Sequence, residues 1–166
     1  MNGRQWIYAC LAMVFSAIPS LVSAQDDPGK AIMGQVSVTV YYATDGEPAA
    51  AGKQAAVVPR ETEKLLRQKK QLSFKSYRAL GHDVQPLLRT YESWAQPLKP
   101  SDEVMVRFEA NSLPTEQLMK LDLELWLGRK KILKTNARLG DKHPLFVLGP
   151  EWRGGRLIIA VALAPK

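Results

Sequence analysis

The sequence predicts a mainly β domain, an antiparallel β-sandwich or partly open barrel carrying one surface helix, with an α+β layer fold as the alternative. Three observations point there. Apolar and polar residues alternate with period two over six to eight short runs, turn dipeptides punctuate those runs, and a single stretch near residue 60 has a helical pattern. No internal repeat at fixed spacing is present.

The first element is an address rather than a fold. Arg4 supplies a positive start, Trp6 to Ile18 is almost unbroken apolar sequence, and Val22-Ser23-Ala24 places small residues where a signal peptidase cuts, so residues 1–24 are expected to be a secretory signal peptide. The apolar run is shorter than the roughly 20 residues of a spanning helix, and Pro19 interrupts its end, which leaves no transmembrane segment after cleavage. Cys10 is the only cysteine and falls inside that segment. A mature chain would then have no disulfide and no thiolate ligand or nucleophile, and its core alone must hold it. Export without disulfides and without an Asn-x-Ser/Thr acceptor fits a bacterial envelope, periplasmic or secreted.

Residues 25–33 are polar, contain Pro28-Gly29 and read as a flexible leader, with one β-rich domain over 34–166. From Gly34, Val36, Val38, Val40 and Tyr42 alternate with Ser37, Thr39 and Tyr41, as in a half-buried strand. Thr44 to Gln54 is rich in Gly, Ala and Pro and reads as a surface loop. Pro59 followed by Glu61 and Glu63 marks a helix start, and the good helix formers run to Leu72 with Val58, Leu65, Leu66 and Leu72 as its apolar stripe. Phe74 to Leu80 reads as a strand that Gly81-His82-Asp83 breaks, and Leu87 to Trp94 as another, bounded by Pro86 and Pro97.

The second half is more regular. Val104, Val106 and Phe108 form one strand face, and Leu121, Leu123, Leu125 and Leu127 another, with Asp122, Glu124 and Trp126 on the wet side. Gly128 to Lys131 turns the chain into Ile132 to Leu139, Leu145 to Leu148 is short and apolar, and Gly149-Pro150 with Gly154-Gly155 punctuates the approach to the last strand. Arg156 to Ala164 is apolar on both faces, which predicts a central strand with Ile158 covered by the helix or a loop.

No phosphate loop, nucleophile elbow or zinc helix occurs in the chain, and no catalytic residue, cofactor or metal site is assigned. His82 and His143 read as turn histidines, and Asp122 with Glu124 as part of an ordinary exposed strand face. Binding chemistry is the better prospect. Removing Arg4 leaves 22 basic against 16 acidic residues, a net charge near +6, which favours anionic partners. The cations gather on the helix and following strand, Arg67, Lys69 and Lys70 among them, and at the hairpin as Arg129, Lys130 and Lys131. Should the two clusters meet, they would form one basic surface for an anionic lipid or polymer. Trp152, held between Gly149-Pro150 and Gly154-Gly155, reads either as an aromatic anchor, joined by Trp94 and Trp126, or as a lid folded over the open end of the sandwich. The expectation is therefore an exported, non-catalytic envelope module that binds an envelope protein or an anionic polymer or lipid surface, with no nucleic acid partner. The alternatives are a small periplasmic hydrolase and a carrier of an apolar ligand lined by Val36, Val38, Phe108, Leu121 and Leu123.

Overall fold

A computed structural model of the chain describes residues 26–112, 118–140 and 144–164. The expected signal peptide with Cys10, and the turn with Asp141 and His143, lie outside the described residues. Two antiparallel sheets pack face to face without closing into a barrel, the sandwich rather than the α+β layer fold. The five-stranded sheet has the order β2-β3-β1-β9-β8, from β1 (Ile32–Thr44), β2 (Ala56–Val57), β3 (Ser76–Leu88), β8 (Leu145–Trp152) and β9 (Gly155–Leu163). The four-stranded sheet has the order β4-β5-β6-β7, from β4 (Ser93–Ala95), β5 (Val104–Ala110), β6 (Leu118–Leu127) and β7 (Lys130–Gly140).

Alternation decides which side of each strand faces the other sheet. Val36, Val38 and Val40 of β1, with Leu157, Ile159 and Val161 of β9, meet Val104, Val106 and Phe108 of β5 and Leu121, Leu123 and Leu125 of β6 in one core. That core contains all five residues considered as a ligand lining, and each is essentially inaccessible to water. A second core lies on the outer face of the five-stranded sheet. There Tyr41, Ala43, Ile158 and Ala160 are covered by Val58, Leu66 and Leu72. The two-sided apolarity of β9 has its cause here, because each of its faces packs into a different core.

The helix α1 (Arg60–Arg67) is shorter than its sequence pattern. Pro59 is its N-cap rather than a helical residue, and a separate 3-10 turn at Lys70–Leu72 lets Leu72 reach the same core as Leu66. Arg67 fixes this corner. Its guanidinium pairs with Glu63, donates to the carbonyls of Phe74 and Lys75, and lies over the Tyr77 ring.

Four other stretches depart from the sequence reading. Of the polar stretch 25–33, residues 28–30 form a 3-10 turn capped by Asp27, whose carboxylate accepts from the Gly29 amide and the Tyr91 hydroxyl, and β1 begins at Ile32. Gly81-His82-Asp83 does not turn. It lies inside the 13-residue β3, where β1 and β3 shift register opposite Val40 and Tyr41. Gly81 is there because Pro97 comes so close that a methyl group would overlap the Pro97 carbonyl oxygen. Likewise Gly149-Pro150 sits within β8 at a register shift, on an edge strand where a missing amide donor breaks no ladder. Leu87 to Trp94 is not one strand. Leu87 and Leu88 end β3, and only Ser93–Ala95 forms β4.

Candidate functional site

The two basic clusters do not meet. Arg67, Lys69 and Lys70 belong to the helix and 3-10 turn that cover the outer face of the five-stranded sheet. Arg129, Lys130 and Lys131 sit at the β6–β7 hairpin of the other sheet. They belong to different sheets of the sandwich, and among the described residues no side-chain contact or shared cavity wall joins one cluster to the other.

Trp152 is a lid. Its ring packs on the inter-sheet core and edge-on to Tyr42 at 5.7 Å, and its indole N–H donates to Glu103 at 3.0 Å, joining β8 to the approach of β5. Arg153 stacks on the ring, 4.3 Å from its centroid, and accepts the Tyr42 hydroxyl at its carbonyl. The two-residue turn of Arg153 and Gly154, both at positive φ, brings this closure about. Trp94 and Trp126 do not join it.

Those two tryptophans meet each other on the outer face of the four-stranded sheet, with centroids 5.9 Å apart and planes inclined by 54°. Strand register brings them there. Trp94 of β4 lies opposite Arg107 of β5, Arg107 opposite Glu124 of β6, and Glu124 opposite Lys134 of β7. One step along, Met105 lies opposite Trp126, and Trp126 opposite Lys131. Carboxylates hold both indoles in their ring planes: the Trp94 N–H donates to Glu92 at 3.0 Å and the Trp126 N–H to Glu124 at 3.1 Å. Arg107 bridges the set, pairing with Glu92 and, at 2.9 Å, with Glu109.

Glu124 is the residue that sequence reasoning placed wrongly. It is not part of an ordinary exposed face: only 5 % of it is accessible, beneath Lys131 at 3.0 Å, Lys134 at 3.7 Å and Arg107 at 3.8 Å. The Lys131 hydrogen bond, then the Trp126 N–H and the neighbouring cations, hold its carboxyl below the usual value against the upward push of burial. Trp94 and Arg107 act in the same direction on Glu92. Water therefore sees an unequal distribution of charge. Glu124 is hidden, whereas Lys120, Arg129, Lys130, Lys131, Lys134 and Arg138 are exposed around β6 and β7, and the accessible carboxylates Glu92 and Glu109 toward β4 and β5 are both paired with Arg107. The Lys131 ammonium also lies 5.2 Å from the Trp126 ring centroid, over its face.

The polar residues weighed for catalysis have structural positions. His82 lies on β3, its Nδ1 2.9 Å from the Thr39 hydroxyl. Asp83 is a clamp: it accepts from the Gln96 amide at 2.8 Å, from Lys99 at 3.0 Å and from Gln85 at 3.1 Å. Burial pushes its carboxyl up, but those three donors outweigh it and leave it below the usual carboxylate value. Asp122 accepts from Asn111 at 2.9 Å. Among the described residues no three His, Cys, Asp or Glu side chains are grouped to hold a metal ion, and no helix is long and apolar enough to cross a membrane. No protein-family model, curated protein or solved structure is detectably similar to the chain.

Proposed function

We propose that this is an exported, non-catalytic module of a bacterial envelope that binds an anionic envelope polymer through the open face of its four-stranded sheet. One observation carries the reading: two orientation-locked tryptophans stand beside a band of exposed cations, on a sheet face that no other described element covers. Locked rings bind at little entropic cost, and ring faces beside cations suit a chain of sugar rings bearing carboxylate or phosphate groups. The buried Glu124 orients Trp126 and Lys131 without presenting its own charge to the ligand.

Affinity electrophoresis through gels containing an acidic polysaccharide tests this directly. Strong retardation of the wild-type chain is expected, reduced at least fivefold in Lys134→Glu/Arg138→Glu and in Trp94→Ala/Trp126→Ala, while a neutral dextran gel retards none of them. Equal mobility of wild type and variants in the acidic gel overturns the proposal.

A further inference from the structure

Sheet edges offer unpaired backbone groups to any passing strand, and folded proteins blunt them by shortness, charge or cover. Three of the four edges here are blunted. β2 has two residues and β4 has three, and the longer β7 carries Lys130, Lys131, Lys134 and Arg138. β8 is blunted only at its far end, where Pro150 and the register shift fall. Its first four residues, Leu145-Phe146-Val147-Leu148, are all apolar, and among the described residues only β9 pairs with it.

A groove runs beside that edge. Its volume is about 470 Å³, and its walls are Leu72, Pro144, Leu145, Phe146 and Leu148 on the apolar side with Lys69 and Lys70 on the rim. Phe146 packs into the helix-covered core, and Leu148, 36 % exposed, stands as a large apolar side chain left open to water. Lys69 and Lys70, which carry no ion pair among the described residues, are exposed above it.

We propose that the free edge of β8 accepts an extended segment of another protein, one that adds a strand and places acidic side chains against Lys69 and Lys70. Backbone pairing supplies the fit along the edge, the groove takes alternate apolar side chains, and the two lysines select for negative charge. Charge also decides against a second copy of this chain. Pairing β8 with β8 across a two-fold axis would bring two Lys69–Lys70 pairs to one interface with no acidic residue on β8 before Glu151 to meet them.

The test is a display library of random twelve-residue peptides, panned against the full chain as exported from cells. The expected result is enrichment of peptides in which acidic residues alternate with β-branched or aromatic ones. Their binding should fall at least tenfold in Leu148→Lys, which blunts the edge, and in Lys69→Glu/Lys70→Glu, which reverses the rim. Trp94→Ala/Trp126→Ala, on the other sheet, should bind them like wild type, so failure here is distinguishable from failure of the open face. If Leu148→Lys does not fold, the exposed double lysine variant carries the test alone. No enrichment, enriched peptides that bind both edge variants undiminished, or a wild-type dimer that Leu148→Lys dissolves would each overturn the proposal.

Discussion

The two sheets of this sandwich treat their outer faces in opposite ways. On the five-stranded sheet, Tyr41, Ala43, Ile158 and Ala160 point outward, and a short helix and a 3-10 turn bury them with Leu66 and Leu72. On the four-stranded sheet, Trp94, Arg107, Glu124 and Trp126 point outward, and the described residues leave them to each other and to solvent. An apolar outer face must be covered, because a side chain as large as Ile158 gains about 1.5–3 kcal/mol on full burial. A polar and aromatic outer face need not be. Its order, in indoles held by carboxylates, serves no core, which is why we assign binding to it.

The largest effect should come from opening the covered face. Leu66 is fully buried and is the only helical residue of α1 that is. Leu66→Ala is expected to cost about 3 kcal/mol through lost burial and the cavity it leaves, enough to lower Tm by roughly 10 °C. Thermal unfolding followed by circular dichroism measures this. A loss as small as that of an exposed leucine would mean that the helix is not needed over Tyr41 and Ile158, and the contrast between the faces would collapse.

Next comes the junction between the sheets. Gly81→Ala forces β3 away from Pro97, and Asp83 two residues on clamps Gln96 and Lys99 in the same segment. About 2 kcal/mol of stability should be lost, in the range expected for overpacking against backbone. Gly34→Ala, whose added methyl group would come no nearer than 4.0 Å to its closest neighbour, Met119, is the control that should be nearly silent.

These two sites show why only part of the fold was legible in the sequence. Period-two alternation revealed β1, β5 and β6, and apolarity on both faces revealed β9, because in each the fate of a face is set by hydrophobicity alone. Gly81 was legible as unusual but not as to its cause, since a glycine that permits a turn and one that permits a close approach look alike until Pro97 is in place. The helix ended early for a similar reason: nothing local marks Arg67 as the residue whose guanidinium would reach the carbonyls of Phe74 and Lys75. Of the open face, alternation placed Glu124 and Trp126 together on one side of β6. It did not show that Arg107 and Lys134 from the flanking strands would bury the carboxylate, because that depends on register between strands distant in sequence.

A smaller effect is expected at the tryptophans. Trp94→Ala removes one aromatic partner and an indole hydrogen bond on a half-exposed surface, so about 1 kcal/mol of stability should go, while polymer binding falls much further. Chemical denaturation and affinity electrophoresis on the same preparations separate the two quantities. Equal losses in both would make the tryptophan pair an ordinary part of the fold and erase its difference from the covered face.

The smallest effect at neutral pH should be that of Glu124→Gln, although the residue is nearly inaccessible. The cations it leaves behind have other recourse: Lys131 is 40 % exposed, Lys134 is 65 % exposed, and Arg107 keeps Glu92 and Glu109. None becomes an unpaired buried charge, which is the usual reason such a change is severe. The modest loss it does cause at neutral pH is the same stability that wild type gives up on acidification, where the two chains converge. A carboxyl held below its ordinary value of 4.5 binds fewer protons folded than unfolded, so the stability it contributes is complete above that value and is lost as pH falls toward the lower folded one. Wild type should therefore weaken below about pH 4.5, and Glu124→Gln, having no proton to take up there, should show a shallower decline with Glu92, Asp83 and Asp27 supplying what remains. Urea midpoints measured from about pH 7 down to about pH 3 follow this slope. A variant whose decline parallels wild type would mean that Glu124 titrates as freely as any surface carboxylate, and the order of the open face would then owe nothing to it.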